Sequence, residues 1–392
     1  MIHMKKIAKI FSLLIAPIML VCAFIAGCAR KVDIENTGIM QDIDVAPEQT
    51  PAYEQYSRQA YEDYKEVANR HSDSDGTVDF ENEEVIKAAN TAAAKLFAYA
   101  CYNERTLDKY VYFSHQEGYT DLGKDGSAKA TRQEYYLRVN ETEKTCGYRY
   151  HYTIKKVEES SGVIGTFKSL FESARIRFTD RTDLLYRFEG DNIRTGSEHE
   201  KLRENLLECD WKTGADWGKP DVVMKKSDFI APEDIENDIV QNAGEDNITI
   251  RANINILAEN IIKNTIIFED EEGCISCFIF IDTDVANKDE ASLKMLRKAN
   301  SSGDCKWEKG VDESGEVDDD DTGFMMVCRF WPNGLFRSYS VTERWNGHIA
   351  AGPLTYAGTV ESNTQYYYSY SDKDCDMTKN LEMLEDAKVK KG

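Results

Sequence analysis

The chain has 392 residues, with 48 Lys+Arg against 70 Asp+Glu for a formal charge of −22, and 41% hydrophobic residues. That composition excludes collagen, coiled-coil and multi-span membrane classes. It argues against a nucleic-acid partner, because a phosphate backbone is repelled and no long basic stretch interrupts the acidity. Seven prolines and 21 tyrosines argue against extended disorder, since the aromatics supply apolar area for a core.

The N-terminus reads as an export signal. Lys5, Lys6 and Lys9 precede an apolar run from Ile10 to Gly27 in which Ser12 is the one strongly polar residue. A cationic start followed by such a run is held at the inner leaflet while the apolar part enters the bilayer. The run ends Ile25-Ala26-Gly27-Cys28, which resembles the lipobox of bacterial membrane lipoproteins. The resemblance implies lipid attachment at the Cys28 thiol, cleavage after Gly27 and a bacterial cell-membrane location on the extracytoplasmic face. Each buried methylene of an acyl chain contributes about 0.8 kcal/mol to such anchoring. Removing residues 1–27 takes three lysines and no acid, so the charge moves from −22 to −25. Residues 28–52 then read as a polar tether with Pro47 and Pro51, residues 53–378 as the body, and 379–392 as a polar tail. The body is either one domain or two subdomains divided near 190–245.

Tyr53–Arg70 and Glu81–Tyr102 carry helical patterning, the second with an alanine-rich face. Lys109–His115, Gln133–Asn140 and Cys146–Val157 alternate and read as strands. A short helix is expected at Val163–Ala174, strands at Ile176–Phe178 and Leu184–Phe188, and helices at Glu198–Cys209 and Pro232–Gln241. A strand over Asn247–Ile256, an ambiguous stretch Leu257–Phe268, a buried strand Cys274–Thr283 and a helix Glu290–Asn300 follow. Four strands close the body: Phe324–Trp331, Leu335–Trp345, Leu354–Glu361 and Gln365–Ser371, the first three separated by turns at Pro332-Asn333-Gly334 and Asn346-Gly347. The order predicts an α+β fold: a curved antiparallel sheet, helices on one face, and an N-terminal helical hairpin. The meander Leu335–Ser371 and the helix Glu81–Tyr102 weakly resemble the half-barrel of LolA-type lipoprotein carriers, which implies a cavity for an apolar or amphipathic ligand.

Eight cysteines remain besides Cys22 and Cys28: Cys101, Cys146, Cys209, Cys274, Cys277, Cys305, Cys328 and Cys375. An even number outside the cytoplasm makes them disulfide candidates, with connectivity open. Cys274-Ile275-Ser276-Cys277 is a CxxC, but it runs into β-type sequence rather than a helix, which does not suit redox chemistry. The segment His71–Asn82 resembles an EF-hand calcium loop, with Asp73, Asp75 and Asp79 at liganding positions and Gly76 at the sharp turn. His71 and Asn82 stand where a calcium loop needs acids, so the alternative is a solvated turn capped by its own carboxylates. The runs Asp318–Asp321 and Glu269–Glu272 read as solvated acidic loops. No HExxH, GxSxG, GxGxxG or Walker pattern occurs. The resulting expectation is non-catalytic binding of an apolar or amphipathic ligand. A surface adhesion module or a glycan hydrolase are the alternatives.

Overall fold

The computed structural model describes residues 40–139, 148–166, 168–179, 185–189, 211–213, 232–235, 257, 259–289, 304–311, 321–351, 354–382 and 385. Asp42–Gly392 is one compact unit, and Met1–Gln41 is grouped apart from it. Cys28 and the rest of the signal and lipobox lie outside the described residues, as do Cys146, Cys209 and the segments expected as a strand at 247–256 and helices at 198–209 and 290–300.

Two long helices open the unit, α1 (Glu54–Arg70) and α2 (Glu83–Thr106). The Asn82 side chain starts α2 by accepting from the Glu84 and Val85 amides, which satisfies donors the helix leaves unpaired. The strands are β1 (Lys109–Asp121), β2 (Ser127–Val139), β3 (Tyr148–Ser160), β4 (Ser173–Thr179), β5 (Leu185–Glu189) and β6 (Trp211–Thr213). After them come β7 (Ile262–Glu269), β8 (Ile275–Ile281), β9 (Lys306–Trp307), β10 (Phe324–Phe330), β11 (Phe336–Ala351) and β12 (Leu354–Ser369). All belong to one antiparallel sheet ordered β6-β5-β4-β3-β2-β1-β12-β11-β10-β8-β7, with β9 against β11. The expected fold class, a curved antiparallel sheet with helices on one face and a helical hairpin in front, is therefore what the chain adopts. Because β5 and β7 lie in the same sheet, the strands on either side of residues 190–245 share one framework rather than two subdomains.

Two expectations are corrected in the closing meander. Asn346-Gly347 makes no turn: Asn346 pairs with Thr359 and Gly347 with Gly358 inside the β11–β12 ladder. The two strands expected at 354–361 and 365–371 are one, because Ser362-Asn363-Thr364 stays paired on both sides, to β11 and to β1. A dipeptide that permits a turn forms a strand when the ladder continues past it. The short helix expected at 163–174 is helical over Gly162–Thr166 and Lys168–Phe171, with residue 167 outside the described residues, and leads into β4.

The tether is corrected as well, because the chain is docked from Asp42 onward. The Gln49 side chain accepts from the Asp108 amide at 3.1 Å and donates to the Lys109 carbonyl at 2.9 Å. The Asp42 amide donates to Asp374 at 2.8 Å, and Asp44 meets Arg337 at 2.8 Å. These contacts give an apparently polar segment fixed partners.

Packing between the helix pair and the sheet is aromatic. Phe97 of α2 lies 5.4 Å from the Phe336 ring and 5.9 Å from Tyr339. Tyr53 stacks on Tyr99 at 6.1 Å and meets Tyr102 edge-on at 6.0 Å. The alanines of α2 at 92, 93, 94 and 100 are buried, so the helix backbone approaches the sheet closely and the rings fill what remains. Buried Asn103 ties three segments together: it accepts from the Tyr53 amide at 2.7 Å and donates to the Gly334 carbonyl at 3.3 Å. Gly334 has φ +80°, and a Cβ there would stand 2.4 Å from Ser57 Oγ, so both conformation and space require glycine.

Candidate ligand-binding face

The sheet face that lies under α1 and α2 continues past the helices onto β1, β2 and β3, and its chemistry changes along the way. One ladder row makes this visible. Tyr368 of β12 pairs with Tyr112 of β1, Tyr112 with Tyr136 of β2, and Tyr136 with His151 of β3. The rings touch in sequence, at 5.9 Å, 5.5 Å and 5.9 Å. Directly opposed residues in a ladder share a face, so an aromatic strip from the core emerges at half-buried Tyr136 and half-buried His151.

Beside this row Glu134 is buried on β2. Its Oε1 accepts from Tyr112 Oη at 2.5 Å and lies 2.8 Å from His151 Nε2. Its Oε2 accepts from the Arg132 guanidinium at 3.2 Å. Burial by itself would raise the Glu134 pKa, but the His151 charge and hydrogen bond, the Arg132 charge and the Tyr112 hydroxyl together hold it far below the usual carboxylate range. Glu134 is thus an ionised, fully partnered acid. A carboxylate so committed fixes the rings and cations around it and is a poor general acid or base near neutral pH. The sequence reading missed Tyr112, Arg132, Glu134 and His151, because strand pairing brings them together from three separate segments.

The candidate calcium loop folds as an acidic turn held by its own backbone. Asp73 Oδ1 accepts from the Asp75 and Thr77 amides, both at 2.9 Å, and Asp79 Oδ1 accepts from the Glu81 amide at 3.1 Å. A bridge between Ser72 and Val78 closes the turn. The Asp73 and Asp79 carboxylates therefore accept from local backbone donors, and Asp75 contributes its amide. Among the described residues, the acids and thiol whose ligand atoms converge are Asp270, Glu272 and Cys274 instead. That cluster already holds cations of its own. Arg329 meets Asp270 at 3.1 Å, and Arg337 meets Glu272 at 2.6 Å, lies 3.4 Å from the Cys274 sulfur and stacks on Trp331 at 4.6 Å.

Six of the eight disulfide candidates lie among the described residues. Cys274, Cys277, Cys328 and Cys375 are buried free thiols, and Cys101 and Cys305 are buried as thiols too. Cys277 and Cys328 face each other across the β8–β10 ladder. Burial pushes both thiols well above their ordinary pKa, so they behave as small apolar core residues. The CxxC has its first thiol just before β8 and its second inside that strand, away from any helix start.

No protein-family model matches the chain, and no curated protein matches it. Among solved structures the chain is similar to a DUF1329 family protein from Desulfovibrio piger ATCC 29098, at 10% identity over 74% of this chain and 98% of that one, with a TM-score of 0.17.

Proposed function

We propose that this protein is a bacterial lipoprotein, anchored at Cys28 to the extracytoplasmic face of the cell membrane, that binds an amphipathic ligand without catalysis. The anchor rests on the order of cationic residues, apolar run and Ile25-Ala26-Gly27-Cys28. The binding reading is carried by the ladder row in which tyrosines pass from the core to His151, beside a buried ionised Glu134. Space under the helices is filled by rings in mutual contact, so the ligand belongs on the open continuation of that face. The arrangement places the half-buried Tyr136 ring beside polar groups, as an amphiphile requires.

Two measurements test this. Cells given radiolabelled fatty acid should label the wild-type chain and not Cys28→Ser, and only the wild type should fractionate with membranes as a processed form. A label that persists in Cys28→Ser would remove the anchor. Native mass spectrometry of the chain from Ala29 onward, with a short-chain lipid added, should show a one-to-one adduct that Tyr136→Ala weakens. An adduct indifferent to Tyr136→Ala would remove the site.

A further inference from the structure

Although the chain is strongly acidic, the ladder beyond β2 collects cations on a single face. Arg132 of β2 stands directly opposite Lys155 of β3, and Arg138 opposite Arg149. His151 stands opposite Arg177 of β4, Arg177 opposite Arg187 of β5, and Arg187 opposite Lys212 of β6. The same ladder row that begins with Tyr368, Tyr112 and Tyr136 thus ends with His151, Arg177, Arg187 and Lys212. Arg175 joins this face opposite Thr153. Against these eight Lys and Arg, the matching positions of β2–β6 hold two acids, Glu134 and Glu189. The alternate positions hold Tyr150, Tyr152, Ile154, Ile176 and Phe188, with Lys156 and the Lys129–Glu159 pair as charged residues.

Like charges placed directly opposite one another are unfavourable in a sheet. Here four such pairs recur on neighbouring ladders. Among the side chains described on this face, Arg132 is 47% exposed and Lys155 is exposed, while Arg138 is buried.

We infer that this face binds the anionic headgroup of an amphiphile whose apolar part lies against Tyr136. The inference rests on the binding function proposed above and specifies its ligand class. The cationic part of the row spans about 14 Å and begins next to Tyr136, so one lipid-sized molecule meets both. Charge screening over about 10 Å lets an anion at this face sense the nearby cations more than the distant acids that make the whole chain negative.

The test uses the chain from Ala29 onward, which keeps the compact unit whole and carries no lipid of its own. Its binding to monomeric dihexanoyl phosphatidylglycerol, dihexanoyl phosphatidylcholine and glycerol phosphate is measured by calorimetry at 0.1 M and 0.5 M salt. The expected result is at least tenfold tighter binding of the anionic lipid than of the neutral one, with the difference shrinking at high salt. Arg177→Gln and Lys155→Gln should each weaken the anionic lipid about fivefold. Lys156→Gln removes the same charge from the opposite face and should leave affinity unchanged. Thermal midpoints of the three variants verify that they fold, and Lys155→Gln, at an exposed position, keeps the test valid if Arg177→Gln does not. Equal binding of the two lipids would overturn the anionic headgroup and spare the amphiphile. Glycerol phosphate binding as tightly as the lipid would overturn the amphiphile and leave a bare anion site. Binding of neither lipid would overturn both readings.

Discussion

The two halves of the sheet solve the same problem differently. On β12, β11, β10, β8 and β7 the helix-facing residues are Tyr, Phe, Met, Ile and Cys, and α1 and α2 cover them. On β2–β6 the same face carries Arg, Lys and His, and the apolar residues move to the other side. Both halves alternate with a period of two. What differs is which parity is apolar, and the change falls at Tyr112 and Tyr136. A face that switches from apolar to cationic across one pair of strands invites a ligand with both characters. The packed half supplies rigidity, and the charged half supplies recognition.

Substitutions that break this contrast should rank in effect. Phe97→Ala in the packed half removes a ring that touches Phe336 and Tyr339 and should cost about 4 kcal/mol of stability, seen as a lower urea midpoint. Glu134→Gln should cost about 3 kcal/mol at pH 7, since it leaves His151 and Arg132 without their shared carboxylate. That cost is pH-dependent, with a defined sign. The folded pKa of Glu134 lies below its unfolded value, so the stabilisation is complete above about pH 4.3 and is lost as pH falls towards the folded value. The gap between wild type and Glu134→Gln should therefore hold from pH 6 to about pH 5 and narrow from there to pH 3. Asn103→Ala should cost about 2 kcal/mol, because it strands the Tyr53 amide and the Gly334 carbonyl. The buried thiols give a smaller chemical readout. Cys277 and Cys328 should resist alkylation in the native chain and react once it is unfolded in urea, measured by mass. Smallest of all, Asp75→Asn should leave the thermal midpoint unchanged with and without millimolar calcium, because Asp73 and Asp79 hold the loop's backbone and Asp75 contributes its amide alone.

Much of the packed half was legible in the sequence. The alanine spacing of 85–102 marks a helix against a close neighbour, and the run Ile275–Ile281 is a buried strand by composition alone. The closing strands were cut too short because Asn346-Gly347 and Ser362-Asn363-Thr364 look like breaks. Pairing on both sides overrides that local preference. The acidic density of His71–Asn82 suggested a metal, yet the carboxylates cap turns. The even number of cysteines suggested staples, yet a core rich in rings and alanine buries thiols without linking them. The cationic face was not legible at all. Arg175, Arg177, Arg187 and Lys212 are scattered among apolar and acidic neighbours, and no window of the sequence is basic. Only the ladder register aligns them.

The contrast is tested most directly by native mass spectrometry of the full lipid-anchored protein, extracted from its own membranes in mild detergent. The account predicts a retained noncovalent adduct of lipid-like mass with an anionic headgroup, present in the wild type and depleted in Arg132→Gln/Lys155→Gln. A wild-type spectrum free of any adduct, or an adduct held equally by both proteins, would contradict it.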